Sequence, residues 1–173
     1  MKRLRGQQGR ASGRTTAARA AIGCAALVAA APSLADSCTV SATTLAFGAY
    51  DTVNALNATS TITVTCTHTN NPAVRFDYVV ALSSGPGSYA SRQMTGTGDT
   101  LTYNLYTSAA MTTVWGDGIT AGTASVAGSF VVGGGMGRSG SDTQTVYGRI
   151  GAAQNVLPGA YSTATPITVT ITY

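Results

Sequence analysis

Apolar residues alternate with threonine in several short runs. Residues 59–68, TSTITVTCTH, place Ile62, Val64 and Cys66 on one face, the period-two pattern of a half-buried strand. Residues 76–82 do the same with Phe76, Tyr78, Val80 and Leu82, and residues 101–106 with Leu101, Tyr103 and Leu105. Residues 130–132 and 143–150 give shorter strand signals. The last strand is predicted over 166–173, PITVTITY, where Ile167, Val169, Ile171 and Tyr173 share a face. Turn-forming clusters separate these runs: GAYD at 48–51, NNP at 70–72, SSGPGS at 83–88, WGDG at 115–118, GGGMGRSG at 133–140 and LPG at 157–159. Residues 38–47 read as an irregular extended segment. Nothing after residue 35 sustains a 3.6-residue period. Short strands at regular intervals, joined by Gly, Pro and Asn turns, predict an all-β fold, specifically a two-sheet sandwich.

The first 35 residues do not follow this pattern. They hold Lys2, Arg3, Arg5, Arg10, Arg14 and Arg19, then the apolar run AAIGCAALVAAA at 20–31, then PSLA with small residues at Ser33 and Ala35. A basic start, a short apolar core and a small-x-small end describe a secretory signal peptide, with cleavage expected after Ala35. The apolar run is too short for a comfortable membrane span. Residues 36–173 are then expected to form one domain. That part has four Arg against six Asp, a formal charge of −2, so the overall +4 comes from the six basic residues of the leader. A basic patch for nucleic acid is not available there. It has no Lys and no Glu, and its wealth of Thr, Gly, Ser and Val favours strands and tight turns.

Cys38 and Cys66 are the cysteines beyond the leader. An isolated pair in an exported chain points to a disulfide, with two buried free thiols as the alternative. Closing a loop of this length stabilises by about 3–4 kcal/mol in the chain-entropy picture. A metal site at Cys66 and His68 lacks further ligands near it in sequence. No catalytic constellation emerges. His68 is the sole histidine and reads as structural, and no Gly-x-Ser-x-Gly elbow occurs. Asp51, Asp77, Asp99, Asp117 and Asp142 are candidates for a carboxylate pair, but most sit beside turn residues, where Asp serves the backbone. The glycines at 133–137 lack the Gly-Lys-Ser/Thr of a phosphate loop. No metal and no small-molecule cofactor is expected.

Nine segments in order carry a resemblance: CTV at 38–40, LAFGAYD at 45–51, TVTC at 63–66, RQM at 92–94, YNLY at 103–106, VWGDG at 114–118, VYGRI at 146–150, PGAY at 158–161 and ITVTITY at 167–173. Together they resemble the spore coat protein U domain family, which includes subunits of archaic chaperone–usher pili. The resemblance implies an immunoglobulin-like sandwich that lacks its final strand. It implies that a periplasmic chaperone first fills the gap, and that a neighbouring pilus subunit, delivered through an outer-membrane usher, then replaces the chaperone's strand. Ile167, Val169, Ile171 and Tyr173 would line one side of the apolar groove left open. Burying four such side chains is worth roughly 6–12 kcal/mol gross.

One feature departs from a shaft subunit. Cleavage after Ala35 leaves only Asp36 and Ser37 ahead of Cys38, with no alternating segment to donate. The expectation is therefore a non-enzymatic, exported structural or adhesive subunit at the cell surface, accepting a strand along its C-terminal strand, at a tip or terminal position. The alternative is a self-contained secreted β-sandwich that coats a surface or binds carbohydrate, with Tyr50, Tyr89 and Trp115 as an exposed ligand patch, against the more ordinary reading of Trp115 as a core residue.

Overall fold

The computed structural model describes residues 36–96 and 98–173; the expected signal peptide lies outside them. Ten strands are found among the described residues: β1 Ser37–Ala42, β2 Leu56–His68, β3 Val74–Leu82, β4 Arg92–Gly96, β5 Asp99–Tyr106, β6 Val114–Trp115, β7 Thr123–Ala124, β8 Val126–Val132, β9 Arg138–Ile150 and β10 Val169–Thr172. They form two sheets. The larger has the order β1-β2-β9-β5-β6-β7, with β4 on β5; the smaller has the order β10-β3-β8. All pairings are antiparallel except β6 with β7.

The alternation seen in sequence becomes two-faced strands. Ile62, Val64 and Cys66 are buried on β2, Phe76, Tyr78, Val80 and Leu82 on β3, and Leu101, Tyr103 and Leu105 on β5. These side chains meet between the sheets in one core. The outer face of β1, β2 and β9 is a hydroxyl array: Thr39 lies opposite Thr65, Ser41 opposite Thr63, and Thr63 opposite Thr143. Threonine here meets water on one side while its β-branched shape suits the pleat.

Two boundaries differ from the sequence reading. β9 begins at Arg138 rather than 143, so the glycine-rich loop is shorter and Gly140 lies within a strand, opposite Cys66. A Cβ on Gly140 would sit 3.0 Å from Val132 and 3.1 Å from Phe130. That glycine serves close packing between the sheets, not a turn. At the other end, β10 covers only Val169–Thr172, and Ile167 precedes it.

The proposed aromatic ligand patch does not exist. Tyr50 is 1% exposed and Trp115 0%. Tyr50 Oη donates to Gly151 O, and the Trp115 indole donates to Val80 O at 3.0 Å. Both rings fill the core with their polar tips satisfied, as large amphipathic aromatics do when buried.

Candidate functional site

β1 is an edge of the large sheet and β10 an edge of the small one. These two edges approach each other, and the sandwich opens beyond them, between the segment that follows β1 and the one that precedes β10. β1 tracks β2 as far as Ala42, and Thr43 makes the last contacts: its N–H donates to Thr61 O and its Oγ1 accepts from Thr61 N, both at 2.9 Å. The chain next pairs at Tyr50, which exchanges hydrogen bonds with Gly159. Among the described residues, none pairs with the backbone of 44–49. Opposite this segment lie Pro166, Ile167 and Val169. The cleft between the two walls has a volume of about 640 Å³, and its floor includes Ile62, Tyr103 and Val146.

Leu45 and Phe47 shape the first wall. They lie against Gly148, where a Cβ would come within 2.5 Å of Leu45 and 2.7 Å of Phe47. Phe47 also meets Tyr103 edge-on, with ring centres 5.9 Å apart. The second wall is held by backbone pairing to β3. Thr168 O accepts from Ser83 N at 2.9 Å, and Thr168 N donates to Ser83 Oγ at 2.8 Å. The register continues with Val169 opposite Leu82 and Ile171 opposite Val80. Antiparallel ladders alternate bonded and non-bonded pairs, so with Thr168 bonded to Ser83, the backbone groups of Val169 and Ile171 point away from β3, and of these two residues Val169 lines the cleft.

Of the residues singled out in sequence, Ile167 and Val169 line the cleft. Ile171 is half-buried and packs against the core beyond it, and Tyr173 is 56% exposed. Cys38 and Cys66 face each other across β1 and β2 and are joined by a disulfide, which fixes the far end of the strand that borders the opening. Sequence reading missed the whole opposite wall. The alternation of Leu45 and Phe47 was its one signal, and it lay in a segment that forms no strand.

The six aspartates and the histidine are each engaged locally. Asp51 accepts from the backbone of Val53 and Asn54, and Asp99 from Leu157 N. Asp77 pairs with Arg75 at the surface, and Asp142 accepts from Tyr78 Oη at 2.6 Å. Asp117 holds its loop through Thr120, Ile119 and Thr123, and those hydrogen bonds push its carboxyl far below the ordinary range. His68 is 5% exposed, with Nδ1 2.9 Å from Asp36 and Nε2 2.9 Å from Pro72 O. Both partners are acceptors, so the ring satisfies both only as an imidazolium. The hydrogen bond to Asp36 accordingly raises the His68 pKa and lowers that of Asp36.

The chain matches the Spore Coat Protein U domain model over residues 24–171. The chain belongs to that family. At that level it is a structural subunit of the pilus and coat type, from a family of exported surface components that assemble with other subunits. No curated protein matches it. In this member of the Spore Coat Protein U domain family, the two-sheet fold carries a mainly apolar opening beside β10.

Proposed function

We propose that the cleft accepts an extended strand from a partner, a periplasmic chaperone first and a neighbouring subunit afterwards. The observation that carries this reading is the pairing of an apolar opening with an unpaired sheet edge. An inserted strand would hydrogen-bond to the free groups of Val169 and Ile171 and lay alternate side chains over Ile62, Tyr103 and Val146. Ile167, Val169, Ile171 and Tyr173 form its flank in this reading. Left empty, the same edge is a site for wrong pairing.

The role proposed is structural and adhesive, not enzymatic. Each carboxylate and the single imidazole already serves local structure. Export through the periplasm, usher-mediated assembly and a terminal place in a fibre belong to the same proposal. The terminal place depends on processing after Ala35, which the mass of the exported protein would establish.

The test is thermal unfolding of the exported, oxidised protein, with and without excess chaperone or a soluble peptide of alternating Val and Thr. A ligand at a hundred times its Kd raises stability by about 2.7 kcal/mol. A clear upward shift with the alternating peptide, absent with a scrambled one, supports strand acceptance. Cooperative unfolding that neither ligand shifts would favour a closed, self-sufficient coat module.

A further inference from the structure

The cleft's C-terminal wall is anchored from behind by a buried cation. Arg92, at the start of β4, is 0% exposed. Its guanidinium donates to Asn104 Oδ1, to Trp115 O at 2.8 Å and to Ser83 O at 3.0 Å. The Tyr89 ring lies below it, 5.3 Å from ring centre to Cζ. Among the described residues, no carboxylate is within ion-pair reach of it, and Nε has no partner. A buried charge without a counter-ion is expensive, so a specific geometric use is needed to explain it.

That use is visible in Ser83. Its carbonyl is held by Arg92, while its N–H and Oγ both bind the backbone of Thr168. Two residues on, Gly85 has φ +62°, and a Cβ there would stand 2.5 Å from Ile167 Cδ1. The loop after β3 is thus a seat for the residues that enter β10. Ser83 grips the backbone of Thr168, and Gly85 leaves room for the Ile167 side chain. The loop is itself fixed to β4, where Gln93 N donates to Pro86 O at 2.9 Å. Neither Arg92 nor Ser83 lines the cleft.

We propose that Arg92 and Ser83 form a latch that sets the position of Ile167 and Val169, so that affinity for an incoming strand depends on two residues that never touch it. They are positioning residues for strand acceptance. The affinity consequence rests on the reading of the cleft as an acceptor; the latch itself does not.

The experiment compares Ser83→Val with Ser83→Thr in the oxidised exported protein. The two replacements are nearly the same size, and only threonine keeps the hydroxyl. Amide exchange is read first, without any ligand. Ser83→Val should speed exchange at Thr168 and Thr170 roughly three- to tenfold, the worth of one hydrogen bond, with Ile62 and Val64 unchanged. Ser83→Thr should restore the wild-type rates. Binding of the alternating Val/Thr peptide should weaken by a similar factor in Ser83→Val alone. Arg92→Lys, which keeps the charge but loses the fork, should behave like Ser83→Val if it folds. Equal exchange in the valine and threonine variants would overturn the latch. Faster exchange in Ser83→Val, with no peptide binding even by the wild type, would uphold the latch and count against strand acceptance instead.

Discussion

The tetrapeptide Ile-Thr-Val-Thr occurs twice, at 62–65 in β2 and at 167–170 leading into β10. In β2 the two apolar residues are 1% and 0% exposed. At the C-terminus Ile167 and Val169 are only half-buried and border an open cleft. The local chemistry is identical, so the difference comes from neighbours. β2 has β1 on one edge and β9 on the other, the latter along thirteen residue pairs. β10 has β3 alone, over four. A period-two pattern therefore specifies a strand and its inward face; it does not specify that both edges are filled.

The comparison breaks most sharply under truncation. Ile62→Ala should cost about 2–5 kcal/mol, as large-to-small changes in a packed core do. Ile167→Ala should cost under about 1 kcal/mol in the free protein, because the cleft already lacks atoms on one side of that chain. Chemical denaturation of the two variants checks this, and equal losses would mean that the C-terminal copy is as well packed as the inner one.

Replacing both Cys38 and Cys66 by Ser should lower stability by about 3–4 kcal/mol. Because the bridge ties β1 to β2 and not to β10, peptide binding below the melting temperature should persist. Loss of binding in a folded variant would tie the disulfide to the cleft.

Gly148→Ala should cost about 1–3 kcal/mol through overpacking, since its Cβ collides with Leu45 and Phe47. It should also weaken peptide binding, because those two residues form the cleft's other wall. An unchanged melting temperature would show that 44–49 moves aside freely.

The smallest expected effect is that of pH. His68 has its pKa raised above the ordinary 6.5, chiefly by Asp36. Its contribution is complete below 6.5 and fades as pH rises through the raised folded value. Asp36 is lowered from 3.8, chiefly by its hydrogen bond to His68, so its contribution holds above 3.8 and fades as pH falls through the lowered value. Melting temperature should therefore decline modestly above pH 6.5, and Asp36→Asn should flatten that decline.

Most of the architecture was legible in the pattern. β2, β3 and β5 follow from alternation, and the Cys38–Cys66 pair from an isolated couple in a chain expected to be exported. What was not legible depended on contacts across the sandwich. Gly140 reads as a loop residue in sequence, yet it is a strand residue kept small by Phe130 and Val132. Tyr50 reads as a surface aromatic beside a turn, but the turn folds it inward, whereas Trp115 fills the core as its more ordinary reading had it. Arg92 was legible only as a polar residue within a family-like segment. Its burial is created by Ser83, Asn104 and Trp115, which come from three separate elements. Ile167 and Val169 stand out in sequence by their alternation and line the cleft; the Leu45–Phe47 wall depends on Gly148, which makes room for it.

The most direct test of strand acceptance is amide exchange at Val169, whose N–H faces the open edge. It should be measured in the free protein and with saturating chaperone or alternating peptide. The expected result is strong protection of Val169 on addition, with Val64 in the inner copy of the motif unchanged. Exchange at Val169 that stays fast with ligand bound would contradict strand addition at this edge.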